Sequence, residues 1–448
     1  MSDNVKKTVF FKGLGCPKNE VDGDVILGYL KQRGIEMTES AEDADYLLVN
    51  TCAFIQSAKE ESIEEILKLA AVKGSTGKKQ RLLVSGCLSQ RYPNELLTQI
   101  GEIDGMIGID EYDKIGTLLD TDSAYITRPP SLYKEAHAVQ ILRERPFAYL
   151  KIADGCDCRC SYCAIPMMRG DFRSRKLDAI SSDVDRLLEH GVVEFDLIAQ
   201  DVAYYGLDLG KGPLDLLRML EDKPGDFWVR PFYLHPKHMS DEILDFFASS
   251  KKYCGYLESP IQHISSSQLK RMNRGYDRDH VYDMVARLRA KLPDTVWRTT
   301  FIVGFPGETQ KDFDELCTFV AEQNIHRAGV FGYSHEEGTA SFRYKNVHTQ
   351  ATIKSRQEEL TRIINENADD YNSSLVGKQM KMIVEEFDSE ALEVTGRLFC
   401  DAPEIDFTIR VPCGKAQPLG FHQVRIVDTA SDGFVGEFVP IVVSGGRT

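Results

Sequence analysis

No stretch of this sequence approaches the roughly 18 to 20 consecutive apolar residues of a membrane span. The longest apolar run near the N-terminus, Thr8-Val9-Phe10-Phe11, is too short for the core of a secretion signal. The expectation is a cytoplasmic protein without membrane contact. Basic residues are also in short supply, with 54 Lys and Arg against 69 Asp and Glu and a net charge of -15. Such a balance disfavours loose, charge-driven binding to a nucleic-acid backbone and suits a basic partner. The usual zinc patterns are missing as well: no second Cys-x-x-Cys and no His-x3-His follows the one dense cysteine cluster. Structural zinc needs such pairs to fill its tetrahedron. Eleven cysteines, an odd number without a secretion signal, favour metal or redox use over a disulfide framework.

What is present is concentrated in Asp154-Gly155-Cys156-Asp157-Cys158-Arg159-Cys160-Ser161-Tyr162-Cys163-Ala164-Ile165-Pro166. The apolar run Phe147-Ala148-Tyr149-Leu150-Lys151-Ile152 leads straight into it, so the cysteines sit in a loop at the carboxyl end of a predicted strand, where α/β folds place chemistry. Thiolates crowded this closely repel one another unless a cation holds them. A zinc knuckle is the plain reading; iron-sulfur fits better. Cys156, Cys160 and Cys163 form Cys-x3-Cys-x2-Cys, and three thiolates on a four-iron cubane leave one iron open for a substrate or cofactor. Cys158 is read as a bystander, while spacing alone leaves Cys158, Cys160 and Cys163 open as the alternative ligand set.

That motif, in the loop after the first strand of a barrel, resembles the radical S-adenosylmethionine (SAM) superfamily. The continuation Ala164-Ile165-Pro166, Arg169-Gly170 and Ser174-Arg175 is similar to its methylthiotransferases. The resemblance implies that the open iron holds the amino and carboxylate groups of SAM.

The N-terminal part repeats one pattern three times. Thr8 to Gly15 ends at Cys16, Tyr46 to Thr51 at Cys52 and Arg81 to Gly86 at Cys87; helical patterns follow over Asn19 to Arg33, Ser57 to Val72 and Pro93 to Ile100. Parallel strands put their carboxyl ends on one edge, so Cys16, Cys52 and Cys87 are expected to converge. Each alone would be an ordinary buried cysteine. Three at equivalent positions point to a second three-cysteine cluster site, and Asn50-Thr51-Cys52 with Gly86-Cys87 resembles the amino-terminal domain of the methylthiotransferases.

Six strand candidates then alternate with helical patterns: Phe147 to Ala153, Glu194 to Ala199, Trp228 to Leu234, Gly255 to Ser259, Val296 to Gly304 and Ala328 to Tyr333. They predict a partial (β/α)6 TIM-like barrel. Gln200, Gln262, Arg298, Gly304 and Glu308 fall at its strand ends or in the Gly304-Phe305-Pro306-Gly307-Glu308 turn. By position and by resemblance they are expected to bind the cofactor SAM. Five short strand patterns between Gln379 and Ser444, the last over Phe434 to Val443, suggest a small all-β OB-like barrel in the place of the family's TRAM domain.

The expected fold is therefore α/β: an N-terminal parallel α/β domain (1–127), a linker (128–145), the partial barrel (146–370) and the OB-like (TRAM) barrel (371–448). From Gly377 to Thr448 seven Lys/Arg meet eleven Asp/Glu, a net of about -4, which is poor for holding phosphates. Gly396-Arg397 followed by Asp401-Ala402-Pro403-Glu404-Ile405-Asp406 resembles the branch that modifies a ribosomal protein. The resemblance implies two 4Fe-4S clusters and SAM as both methyl donor and radical source. It also implies, as substrate, an aspartate of ribosomal protein S-twelve, free or in the small subunit, modified at its β-carbon. A reducing donor such as a flavodoxin or ferredoxin is expected, with RNA contact only through the ribosome. The acidic Asp401 to Asp406 segment is expected to meet that basic partner. A transfer-RNA adenosine methylthiotransferase and an iron-sulfur electron-transfer protein are the alternatives.

Overall fold

The computed structural model describes residues 6–75, 77–127 and 143–439. Most of the expected linker, and the end of the last expected tail strand, lie outside them.

The first sheet is built of strands β1 (Thr8–Gly13), β2 (Glu36–Met37), β3 (Tyr46–Thr51), β4 (Arg81–Gly86), β5 (Ile103–Ile107) and β6 (Ser123–Tyr125). All are parallel, in the order β2-β1-β3-β4-β5-β6. Every residue of β3 is buried, as expected of a central parallel strand covered on both faces. Helices Pro17–Gln32 and Gln56–Ser75 cross between strands. β5 and β6 were not foreseen, because Asp104 and Gly105 break the apolar run of one and the other has three residues.

The central unit starts with β7 (Phe147–Lys151). β8 (Ala153–Asp154) pairs antiparallel with β9 (Arg173–Ser174) and so ties off the base of the cysteine loop. β10 (Glu194–Ile198), β11 (Trp228–Pro231), β12 (Tyr256–Glu258), β13 (Val296–Val303) and β14 (Ala328–Gly332) complete six parallel barrel strands. They form two three-stranded sheets, β11-β10-β7 and β12-β13-β14. Main-chain bonds bridge the gap, from Val229 N–H to the Lys252 carbonyl at 2.7 Å and from Leu234 N–H to the Glu258 carbonyl at 2.9 Å. The outer strand face, with Leu150, Phe195, Leu197, Leu257, Phe301 and Val303, packs on the surrounding helices. Three of those helices start on side-chain caps, Ser240, Asp277 and Thr309, the last in a reciprocal box with Asp312, each satisfying donors a helix start leaves open.

The tail is a closed five-stranded barrel of β15 (Gln379–Asp388), β16 (Glu393–Leu398), β17 (Thr408–Pro412), β18 (Gly420–Ala430) and β19 (Gly433–Phe438), in the order β15-β16-β17-β19-β18. Gly396 is required by this closure, since a Cβ there would fall 1.9 Å from the Ile383 carbonyl oxygen. The concave face of the half-barrel is not empty. Phe147, Tyr149, Trp228, Phe232, Tyr256 and Val296 pack there against Met382, Leu398, Ile409 and Val424 of the tail and Val21 of helix Pro17–Gln32. The tail thus covers part of that face, and the N-terminal helix reaches in beside it.

The acidic tail segment takes part in this packing, which corrects its expected role as an exposed docking patch. Asp401 is fully buried and accepts from Arg327 Nη2 at 2.9 Å. Asp406 accepts from Arg298 at 2.8 Å and from the Tyr256 hydroxyl at 2.7 Å. Glu404, with a half-exposed side chain, still takes the Tyr149 hydroxyl at 3.1 Å. Beside them Glu194 joins Arg230 at 2.7 Å and Arg397. The carboxylates were legible as charge, but the arginines that neutralise them come from distant strands.

Candidate active site between two cysteine sets

Cys16, Cys52 and Cys87 follow β1, β3 and β4 at neighbouring strand ends. Cys16 is the N-cap of helix Pro17–Gln32 and Cys87 the first residue of helix Cys87–Arg91. Gly15 takes φ +95°, and a Cβ on it would lie 3.1 Å from Cys52 Sγ, so glycine lets the first loop close on the second. Burial first, then the charges of Cys87 and Cys16, push the Cys52 thiol up to about 12. Burial also pushes the Cys87 thiol up, against Arg169, whose Nη2 donates to Cys87 Sγ at 3.6 Å. Thiols that raise one another's cost of ionising are close neighbours, and as thiolates they need a cation among them. The donor set fits a metal cluster with three protein ligands.

The second set lies in the loop between β8 and β9. Cys156 N–H donates to the Gly170 carbonyl at 3.1 Å, and Ser161 N–H to the Met272 carbonyl at 2.9 Å. These bonds pin the loop to both of its flanks. The Cys158 backbone N–H donates to Cys156 Sγ at 3.5 Å, and the contact with Cys158 draws the Cys156 thiol down to about 7. The same contact raises Cys158. The backbone N–H aimed at Cys156 Sγ favours a thiolate on Cys156. Arg274, which the sequence reading did not single out, donates to Cys160 Sγ at 3.2 Å and to the Pro260 carbonyl at 2.7 Å. Burial pushes the Cys163 thiol up, so it too ionises only beside a cation. Potential ligand atoms of Cys158, Asp201, His235 and His238 lie within 4.8 Å of one another. Asp201 already accepts from His238 Nδ1 at 2.5 Å and from the backbone N–H groups of Ala203 and His235, each at 3.1 Å, which locks two barrel loops together.

A buried ionic cage joins the two sets. Lys151 reaches Asp22 at 2.7 Å and Asp154 at 2.6 Å, and Arg169 reaches the same pair at 3.0 and 2.6 Å. Asp22 comes from the N-terminal helix; the others belong to the barrel. Arg169 follows the cysteine loop yet touches Cys87, so one side chain spans from one set to the other. Lys18 lies over the Tyr233 ring at 3.6 Å, with Cys16, Arg169, Asp154 and Glu258 as the charged groups around it. A sequence signal for these residues existed: Lys18, Asp22 and Asp24 are charged positions among Val21, Val25 and Ile26 in a helix that the structure buries.

The expected SAM residues divide. Gln200 donates from Nε2 to Asp154 at 2.8 Å while its buried Oε1 has no partner among the described residues, so it stands beside the cage. Gln262 takes φ +71° and bridges in backbone to β13, its N–H donating to the Thr300 carbonyl at 2.8 Å. Arg298 and Glu308 are engaged within the protein. Arg298 turns to Asp406 of the tail. Glu308 is consumed by the backbone N–H of Gly304, by Arg356 at 2.9 Å and by His263 at 3.3 Å. Gly304, at φ +72°, leaves its Cα side to Ile353, which a Cβ would meet at 2.5 Å.

Comparison with known proteins agrees with this architecture. Residues 8–108 match the Uncharacterized protein family UPF0004, residues 150–320 the Radical SAM superfamily and residues 376–439 the TRAM domain. A ribosomal protein uS12 methylthiotransferase RimO from Pelotomaculum thermopropionicum is 42% identical over 435 residues, covering 95% of this chain and 98% of the relative. The protein of that name from Thermotoga maritima is 40% identical over 421 residues, covering 93% and 96%. Among solved structures, the radical S-adenosylmethionine methyltransferase TsrM from Kitasatospora setae matches with a TM-score of 0.54 at 13% identity, over 73% of this chain and 72% of that one. At such identity the likeness speaks for the fold. With whole-length relatives well above 30% identical and three matching domain models in order, the chain belongs to the ribosomal protein uS12 methylthiotransferase (RimO) family of radical SAM enzymes.

Proposed function

We propose that this protein attaches a methylthio group to the β-carbon of an aspartate of ribosomal protein uS12. Membership of the radical SAM superfamily implies SAM and one 4Fe-4S cluster. We assign that cluster to Cys156, Cys160 and Cys163, and a second to Cys16, Cys52 and Cys87. When bound, SAM and the clusters supply one-electron cleavage to a 5'-deoxyadenosyl radical, a methyl group and a site for sulfur. The chain's own residues supply position. An unactivated carbon-hydrogen bond offers no handle for acid-base catalysis, so the reacting groups must be held in register with water kept out. The single observation that carries the reading is Arg169, which follows one cysteine set and touches the other.

The ionic cage of Asp22, Lys151, Asp154 and Arg169 holds the N-terminal helix against the barrel mouth, fixing one cysteine set relative to the other. Gln200 and Gln262 are the proposed SAM contacts. A reduced flavodoxin or ferredoxin is the proposed electron donor, and the cytoplasm the proposed compartment. Among the described residues no helix is long and apolar enough to cross a membrane. The transfer-RNA and electron-carrier readings find no support in relatives that carry the uS12 name.

Changing Cys16, Cys52 and Cys87 together to alanine tests the second cluster. Iron per chain is expected to fall by about half, on two four-iron clusters, and methylthiolation of uS12 to be lost while SAM is still cleaved. Unchanged iron would sink the second site.

A further inference from the structure

Most buried cations at the barrel mouth sit within ion-pair distance of a carboxylate, and Lys18 does not. Asp22 and Asp154 are shared between Lys151 and Arg169. Lys18 stands outside that pairing. The residue is 6% exposed, and among the described residues its ammonium has the Ala199 carbonyl oxygen at 3.3 Å and the face of Tyr233 at 3.6 Å, with no carboxylate at ion-pair distance. An ammonium carries three donors. Here one meets a carbonyl, and the anionic neighbours Cys16, Asp154 and Glu258 act only from beyond ion-pair distance, so burial of the ammonium remains costly. The cation-π contact offsets part of that cost.

Its position matters as much as its charge. Lys18 is two residues past Cys16 on helix Pro17–Gln32, while Ala199 follows the second barrel strand and Tyr233 the third. The ammonium is therefore held where the N-terminal cysteine edge meets the barrel mouth.

We infer that Lys18 receives the side-chain carboxylate of the substrate aspartate, an inference that rests on the function proposed above. In aspartate the carboxylate carbon is bonded directly to the β-carbon. Anchoring the carboxylate therefore fixes the β-carbon to within one bond, and glutamate would displace it by one carbon. An asparagine in the same place leaves the lysine unpaired, and a buried polar group left without its partner is what lets a site reject a near-isostere.

The test compares the reconstituted full-length protein with its Lys18→Met and Lys18→Arg variants, binding uS12 and uS12 with the target aspartate changed to asparagine. The wild type is expected to prefer the aspartate form by at least about 30-fold, as for a buried charge pair deprived of one member. Lys18→Met should reduce that ratio to within about threefold, Lys18→Arg should restore part of it, and iron content should stay at the wild-type level. A Lys18→Met ratio equal to that of the wild type overturns the inference. So does a fall in iron, which would make the lysine a counter-charge to the cysteine cluster. If the wild type does not modify uS12 at all, the proposed function falls and takes the inference with it. If it does and the ratio survives in Lys18→Met, the inference alone is lost.

Discussion

Changing Cys156, Cys160 and Cys163 together to alanine is expected to abolish SAM cleavage outright and to remove one cluster's iron, whereas Cys158→Ala keeps both within about threefold. The difference follows from the hydrogen bonds in the loop. The Cys158 backbone N–H donates to Cys156 Sγ and so favours negative charge on Cys156, and a thiolate, not a thiol, ligates metal. Arg274 lies beside Cys160 Sγ, where it would stabilise charge on a second proposed ligand. Cys163, whose thiol burial raises, ionises only when the cation arrives, so metal loading and loss of its proton are one event. Iron analysis and the yield of 5'-deoxyadenosine from reduced protein provide the two readouts. If Cys158→Ala lost its iron and Cys156→Ala kept it, the ligands would be Cys158, Cys160 and Cys163, and the bonds described here would belong to the metal-free loop alone.

The cysteines were legible in the sequence for a topological reason. A parallel sheet aligns its carboxyl ends, so three cysteines closing three strands must meet whatever lies between them. The ionic cage was not legible. Its pairs span 129 residues from Asp22 to Lys151 and 147 from Asp22 to Arg169, and no periodicity couples positions so far apart. Glu308 is the opposite case: its partners include Gly304, four residues away, so a strand-to-helix turn bonds a carboxylate that the sequence left open. Charge composition failed at the tail because it counts carboxylates without their partners. Arg327 lies 74 residues before Asp401, and Arg298 108 before Asp406. An exposed acidic loop and an acidic loop buried on arginines have the same net charge.

That correction carries the second large expectation. Asp401→Lys is expected to destabilise the protein by roughly 3–5 kcal/mol, the usual cost of leaving a buried charge without its partner. The reversed side chain would face Arg327, which is itself 2% exposed. Arg397 worsens the site, since its Nη1 donates to the Asp401 backbone carbonyl at 2.9 Å. Burial pushes the Asp401 carboxyl up while Arg327 draws it down, so the intact pair contributes little net stability; the asymmetry lies in breaking it. Reversing Asp432, whose pair with Arg410 at 3.0 Å is exposed, should by contrast cost no more than about 1 kcal/mol. Thermal unfolding of the two variants beside the wild type separates the cases, and because three units need not unfold together, the comparison is made on the first transition. Arg327→Asp combined with Asp401→Arg should recover part of the loss, since the two sites are in contact and their effects are coupled. An Asp401→Lys protein that melts like the wild type yet no longer binds uS12 would return the segment to the surface and restore its role as a docking patch.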